Sequence, residues 1–156
     1  MEITDKLSDH FSLEELIRSD TAEREGIDNT PPNEIIPKLR HLCEEILEPV
    51  RNHYGIPFSP SSGYRSRKLN DAIRGSQNSQ HCLGEAVDFE LPGIGNFELA
   101  TWIRDNLDYD QLILEKYQHG KPNSGWVHVS LRMNIDENRK EVLTQINDIF
   151  RHGLVA

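Results

Sequence analysis

The sequence has little cysteine and no long apolar run. Its two cysteines, Cys43 and Cys82, are too few for the disulfide framework that stabilises many small secreted domains. No stretch approaches the roughly 18 consecutive apolar residues of a membrane-spanning helix. The start of the chain also lacks the basic residues and apolar centre of a signal peptide. We therefore predict neither a disulfide scaffold nor a membrane-embedded chain.

Positive charge is also scarce. Seventeen lysines and arginines stand against 26 aspartates and glutamates, which gives a formal net charge of −9 at pH 7. Nucleic acids and anionic membrane surfaces attract proteins largely through basic residues, so this balance argues against both as partners. A peptide, a sugar-peptide or a small molecule is the better class of substrate.

The 156 residues have the length of one ordinary domain. Apolar residues recur at three- and four-residue steps in 1–55, which predicts a helical N-terminal part. Residues 56–156 hold three strand-like stretches, GEAVDFEL, YDQLILEKY and GWVHVSL, and one amphipathic helix, NFELATWIRDNL. We expect a single α+β domain over 1–156, with a small antiparallel sheet that has helices packed on one side. NRKEVLTQINDIFRHGL stays ambiguous between strand and helix at its start.

Proline and glycine mark the predicted helices. In the long helical stretch NTPPNEIIPKLRHLCEEILEPVRNHYG, Pro37 lies near the first turn, where proline is tolerated, whereas Pro49 should kink the helix or end its regular hydrogen bonding. Gly55 marks the end of this helix. A shorter helix, SRKLNDAIRG, is expected to close at Gly75.

Polar residues interrupt the apolar strands in a pattern that suggests a metal site. His81 enters from the loop before the first strand, Asp88 lies on that strand, and His128 lies on a later strand, with Trp126 and Ser130 on the same face. A lone buried histidine is more often a hydrogen-bonded core residue. Two imidazoles and one carboxylate, however, are the ligand set of a catalytic zinc site, which leaves a fourth position for water.

Three sequence blocks around these residues resemble a known family. SGYRS at 62–66, SQHCLGEAVDFE at 79–90 and GWVHVS at 125–130 look like the signature blocks of the M15 family of zinc D-Ala-D-Ala carboxypeptidases and endopeptidases. The N-terminal FSLEELIRSDTAEREGIDNTPP is similar to the phage and prophage branch of that family. The resemblance implies that the two histidines and the aspartate bind Zn²⁺. It also implies a fold that shares its zinc core with hedgehog signalling domains, and a bacterial cell-wall stem peptide as substrate.

Hydrolysis also needs a general base. Several branches of the family carry an acid three positions before the last histidine, where this chain has Gly125. The best substitute is Glu115, on the apolar strand QLILE, and the resemblance to the phage branch favours it over the alternative of a solvated strand-end acid.

The turn after the first extended segment supplies further candidates. Arg65 of the G-Y-R block suits a developing oxyanion or a substrate carboxylate, because a guanidinium is always charged and donates two parallel hydrogen bonds. The alternative is a surface arginine near Asp71. Tyr64, Ser79 and Trp126 are weaker candidates for binding the substrate peptide.

Together these features predict a zinc-dependent peptidase that hydrolyses peptidoglycan stem or cross-link peptides and resembles a phage endolysin. Gly125 keeps open an alternative from another class, a non-catalytic virion structural or wall-binding protein with the same fold. A zinc-stabilised signalling domain is disfavoured, because a closed metal site would not need Arg65 nearby. We expect a monomer that stays in the cytoplasm of an infected or lysogenic host until release, or that is carried in a virion.

Overall fold

The computed structural model describes residues 2–156, with helices mainly in the first half of the chain and strands in the second. The α-helices are α1 (Leu13–Ile17), α2 (Asp20–Glu25), α3 (Ile36–Leu42), α4 (Glu48–Tyr54), α5 (Arg67–Ala72) and α6 (Asn96–Asn106). The strands are β1 (Ala86–Phe89), β2 (Gln111–Glu115), β3 (Trp126–Ser130), β4 (Glu141–Ile146) and β5 (Ile149–His152). Short 3₁₀ turns cover Asn33–Ile35, Gln80–Leu83 and Ile135–Glu137. The α+β class is confirmed; the likeness to hedgehog domains stays a prediction.

The five strands form one mixed sheet in the order β1-β3-β2-β4-β5. β3 runs antiparallel to both β1 and β2, but β2 and β4 are parallel, so the expectation of a purely antiparallel sheet is wrong. The cause is the short connection 131–140. This connection starts at the end of β3 that pairs with Gln111. It leads to the start of β4, which also pairs with Gln111 but on the other side of β2. β4 therefore runs antiparallel to β3 and parallel to β2.

The ambiguous C-terminal segment is a β-hairpin. β4 and β5 pair antiparallel and are joined at Asn147 and Asp148, which have φ of 51° and 63°. Positive φ at both central residues is the geometry of a tight hairpin turn, and asparagine and aspartate tolerate it better than most residues. The turn signal was therefore present in the sequence as the dipeptide Asn-Asp.

One face of the sheet carries the hydrophobic core. Alternate strand residues point to it and pack with the apolar sides of α3, α4 and α6; from the strands these are Val87, Phe89, Leu112, Leu114, Val127 and Val129. The alternation of a strand sends the intervening residues to the opposite face. That second face carries Asp88, Ile113 and His128, all of them buried, and it is where the polar site forms.

The long helix contains the irregularity that Pro49 predicts. α3 continues through a π-helical turn, Cys43–Leu47, into α4, and the N–H of Glu48 donates to the carbonyl of Cys43 five residues back. A proline ring clashes with the carbonyl four residues before it and offers no N–H, so the wider turn relieves both problems. The helix ends at Gly55 in the left-handed conformation, as expected.

The shorter helix ends earlier than predicted. α5 stops at Ala72, and the residue in the left-handed conformation after it is Arg74, with φ of 59°, and not the predicted closing residue Gly75. Gly75 serves close packing instead, because a Cβ there would overlap the side-chain amide of Asn70. No helix among residues 2–156 combines the length and apolarity needed to cross a membrane.

Asp110 anchors the connection that makes the sheet mixed. Its carboxylate is fully buried and accepts hydrogen bonds from the backbone N–H of Arg139 at 2.9 Å, from Nε of Arg139 at 3.0 Å and from Nη2 of Arg139 at 2.8 Å. Gln80 donates a further bond at 3.0 Å. Burial raises the pKa of Asp110, but these donors lower it more, to about 2.

We expect Asp110→Asn to lower the free energy of unfolding by about 2 kcal/mol at neutral pH. The folded pKa lies below the unfolded value, so this stability is present above about pH 4 and is lost as the pH falls towards 2. Urea unfolding between pH 2.5 and 6 checks this, with Asp108→Asn as control, since Asp108 is exposed and pairs with the exposed Lys140. A constant difference between Asp110→Asn and the unmodified protein across this range would contradict the assignment.

Candidate metal centre

The pairing of β1 with β3 brings Asp88 and His128 together. The two residues are directly opposite in the antiparallel register, so their side chains leave the sheet on the same face. Nδ1 of His128 lies 2.8 Å from Oδ1 of Asp88. Both residues are buried, Asp88 at 5% and His128 at 8% relative exposure, and the backbone pairing of β1 with β3 holds them opposite each other.

His81 reaches the same point from the 3₁₀ turn Gln80–Leu83. The Ser79 hydroxyl accepts the backbone N–H of His81 and caps this turn, and Gly84 ends it with φ of 71°. Nδ1 of His81 lies 2.7 Å from the carbonyl oxygen of Gly63. Because a carbonyl can only accept, Nδ1 carries the hydrogen and Nε2 is left with a free lone pair. Nε2 lies 3.4 Å from Oδ2 of Asp88.

The three side chains form a cluster with the donor set of a metal site. Each of His81, Asp88 and His128 offers one ligand atom, and these atoms lie within 4.8 Å of one another. Ligands about 2.1 Å from one tetrahedral zinc ion would be about 3.4 Å apart. Nε2 of His81 lies 3.4 Å from Oδ2 of Asp88, which matches that value, whereas Nδ1 of His128 lies 2.8 Å from Oδ1 of Asp88, which is a hydrogen-bond distance. The residues present therefore fit a zinc ion held by two nitrogens and one oxygen.

The protonation states of Asp88 and His81 also suit a cation. Burial raises the pKa of Asp88, but the two histidines lower it further, to well below its usual range, so the carboxylate is ionised. Burial lowers the pKa of His81 and favours its neutral form, which is the form that binds metals. For His128 the hydrogen bond and charge of Asp88 outweigh burial and raise the pKa.

Glu115 stands beside the cluster without belonging to it. It lies at the end of β2, with Oε1 3.9 Å from Nδ1 of His128. Burial is the largest influence and raises its pKa, only partly offset by the charge of His128. A carboxyl group whose pKa is raised towards neutrality can both take up and release a proton.

The backbone explains why Gly125 carries no acid. Gly125 has φ of 71°, and a Cβ at this position would overlap the carbonyl oxygen of Glu115. The side-chain amide of Asn96 also donates to the Gly125 carbonyl at 2.9 Å and holds the loop against the sheet. No side chain fits there in this loop conformation, and among the described residues the acid that lies beside His128 in addition to Asp88 is Glu115 on β2.

Arg65 approaches the cluster from the side opposite β3. Its Nη2 lies 3.6 Å from Oδ2 of Asp88, its Nε donates to the Ser62 hydroxyl at 3.1 Å, and its side chain is 16% exposed. These contacts argue against a surface arginine near Asp71. The carbonyl of Tyr64 accepts a bond from the buried amide of Asn29, which helps to hold this turn.

The cluster opens into a cleft of about 520 Å³ that is also lined by Arg65, Ser79 and Glu115. Tyr64 and Trp126 are placed differently: Tyr64 is buried in the hydrophobic core, and neither residue is among those that line the cleft. Trp126 is half-buried and pairs across the sheet with Glu115. A substrate-binding role for Ser79, Tyr64 and Trp126 stays a prediction.

Sequence reasoning missed several residues that shape the site. The Gly63 carbonyl orients His81, and Asp110 holds Gln80, the neighbour of His81. Arg132 and Arg139 line the cleft as well. The S-G-Y-R block marks the turn that contains Gly63, but nothing in the local sequence around the two arginines indicates that they reach the cleft.

The fold and the cluster define an α+β protein with a candidate three-ligand metal centre in an open cleft. The family model described as Peptidase M15 matches residues 9–130, and the chain belongs to this family. Membership confirms the resemblance of the three sequence blocks and indicates a hydrolase that acts on peptide bonds. No curated protein matches the chain. Its place in the phage branch stays a prediction.

Removal of a residue that only hydrogen-bonds to a metal ligand weakens metal binding by roughly 10- to 100-fold. Because His81 is a predicted ligand itself, we expect His81→Ala to weaken zinc binding by more than this. Equilibrium dialysis with zinc quantification measures this. The matched control is His119→Ala, since His119 lies in the exposed loop before β3. Equal zinc affinity in both variants would contradict a role for His81 as a ligand.

We expect Gly125→Ala to lower the free energy of unfolding more than Gly120→Ala does. Both glycines have positive φ, which costs an alanine about 1–2 kcal/mol, but space around Gly120 is open. The overlap with the Glu115 carbonyl should add at least about 1 kcal/mol. Urea unfolding compares the two variants, and equal losses would show that the loop at Gly125 has room for a side chain.

Proposed function

We propose that this protein is a zinc-dependent peptidase that hydrolyses stem or cross-link peptides of bacterial peptidoglycan. The reaction would be of the D-Ala-D-Ala carboxypeptidase or endopeptidase type, and the protein would act as an endolysin of a phage or prophage. The observation that carries the proposal is the buried cluster of His81, Asp88 and His128, open to a cleft, in a chain of the peptidase M15 family.

The two histidines of the cluster would bind the ion in different ways. Zinc bound there supplies a Lewis acid and an activated water at neutral pH. His81 would bind through Nε2, because the Gly63 carbonyl occupies its other nitrogen. His128 must release the hydrogen that it shares with Asp88 before its Nδ1 can act as a ligand. The open side of the cluster faces the cleft, where a peptide can enter.

Glu115 would transfer a proton from the attacking water to the leaving amine. Its carboxylate lies close to His128 but outside the three-ligand cluster, and its raised pKa suits a group that accepts a proton from water and returns it to the leaving amine. Arg65, on the other side of Asp88, would stabilise the negative charge that develops on the substrate carbonyl oxygen, or bind a substrate carboxylate.

The rival from another class is a virion structural or wall-binding protein that keeps the fold without catalysis. Gly125 was the feature that favoured it. The position of Glu115 weakens this alternative, because an acid beside the cluster is available from β2. We also propose that the enzyme is held in the cytoplasm of the infected or lysogenic host until release, or is carried in a virion.

We expect chelation to abolish the release of amino groups from purified cell walls, and added zinc to restore it. The reason is that the proposed attacking water depends on the metal, while the hydroxyls of the two serines that line the cleft, Ser76 and Ser79, accept backbone N–H groups and have no described hydrogen bond to an imidazole or carboxylate. Mass spectrometry of the released fragments identifies the cleaved bond. Undiminished cleavage by chelated protein would refute the proposed mechanism.

We expect Glu115→Gln to lower kcat by about 10²- to 10⁴-fold while zinc content stays unchanged. Glu14→Gln is the matched control, because Glu14 is exposed on α1. Steady-state hydrolysis of a stem peptide and zinc quantification on the same samples measure both effects. A wall-binding protein would show no turnover before the substitution and unchanged wall binding after it.

A further inference from the structure

Two arginines in the cleft have no part in the proposed chemistry. Arg132 and Arg139 line it together with Arg65, although the chain as a whole has a formal net charge of −9. A cleft that gathers cations on an acidic protein attracts anionic ligands. The contacts of each arginine decide whether it is free to bind an anionic ligand.

The strand register places the two arginines away from Glu115. On β3, Trp126 pairs with Glu115 at one end and Ser130 pairs with Gln111 at the other, with His128 between them. Arg132 lies two residues beyond Ser130, and Arg139 precedes the start of β4 at the same end. A strand rises about 3.3 Å per residue, so Ser130 lies about 7 Å along the chain direction from His128 and Arg132 about 13 Å from it. That span corresponds to about two to four residues of an extended peptide.

Arg139 is already neutralised. Its Nε and Nη2 donate to the two carboxylate oxygens of Asp110 at 3.0 and 2.8 Å, and its Nη1 lies 4.0 Å from Oε1 of Glu141. A guanidinium held by two parallel hydrogen bonds to a carboxylate is rigid, and the carboxylate neutralises most of its charge. Its role is to keep Asp110 in place.

Arg132 has a different environment. In the described chain, Arg132 approaches an acid through its Nε, which lies 3.5 Å from Oδ2 of Asp110. This Nε is buried and has no hydrogen-bond partner. Asp110 has most of its hydrogen-bonding capacity taken by Arg139 and Gln80. The side chain of Arg132 is 36% exposed and lines both the cleft and a neighbouring cavity beside Leu131 and Met133. Only its Nε is among the buried atoms without a partner, so its terminal amino groups are accessible to a ligand.

We propose that Arg132 binds a carboxylate of the substrate, two to four residues from the cleaved bond, with Asp110 and Arg139 positioning its guanidinium. This inference rests on the proposed peptidase function and names the feature of the peptide that is recognised. A guanidinium matches a carboxylate because it donates two parallel hydrogen bonds. In a stem pentapeptide cleaved between its two terminal alanines, the D-glutamyl α-carboxyl group lies at this distance. For cleavage after the first L-alanine, the C-terminal carboxylate lies at this distance instead.

Three synthetic stem pentapeptides test the inference and separate the two sources. One has both carboxyl groups free, one carries an amide at the D-glutamyl α-carboxyl, and one carries an amide at the C-terminus. We expect the zinc-loaded protein to prefer the fully free peptide over one of the amides by about tenfold in kcat/KM and in affinity by calorimetry, a modest factor because Arg132 is partly exposed. The amide that loses the preference identifies the carboxylate.

Arg132→Gln should reduce this preference to about one. Arg132→Lys should keep part of it, because the charge remains but the fork geometry is lost. The control is Arg104→Gln, since Arg104 is exposed on α6 and pairs with its neighbour Asp105; it should keep the full preference. Zinc content and melting temperature show whether each variant is folded.

The outcomes separate this inference from the proposed function. Hydrolysis of all three peptides with equal efficiency would overturn the carboxylate site and leave the peptidase intact, and so would a preference that Arg132→Gln does not change. Binding with the expected preference but without hydrolysis would uphold the site at Arg132 and refute the peptidase. Absence of binding and of hydrolysis would overturn both.

Discussion

The contact between Asp88 and His128 is the interaction on which the rest of the site depends. Both residues are fixed by the antiparallel register of β1 and β3, so the contact costs little side-chain freedom once the sheet has formed. Burial raises the pKa of Asp88, but the two imidazoles lower it more and hold the aspartate ionised. A shift of β1 by one residue along β3 would turn Asp88 towards the hydrophobic core, away from His128, and destroy the site.

The remaining parts of the site are supplied by irregular backbone around this rigid pair. Gly84 ends the turn that carries His81 in the left-handed conformation, and a Cβ there would come within 2.6 Å of the Ile35 side chain. Gly63 similarly has no room for a side chain beside the Leu16 carbonyl, and its own carbonyl orients His81. These close approaches attach the N-terminal helical part to the site and explain why the signature blocks contain glycine where they do.

The sequence was sufficient where local pattern decides structure. Period-two alternation places Asp88, Glu115 and His128 on strands, and the spacing of the family blocks adds His81. The parallel pairing of β4 could not be predicted, because it depends on the route of the connection 131–140 around β2. For the same reason nothing local signals Arg132, whose position in the cleft follows from long-range contacts with the buried acid at the start of β2.

The central claim, that two histidines and one aspartate hold a zinc ion in this cleft, is tested most directly by X-ray absorption spectroscopy of the zinc-loaded protein. We expect a first shell of nitrogen and oxygen only, at about 2.0–2.2 Å, with multiple scattering from two imidazoles. A zinc–sulfur distance of about 2.3 Å, which would point to Cys82 beside His81, or a shell with fewer than two imidazoles, would contradict it.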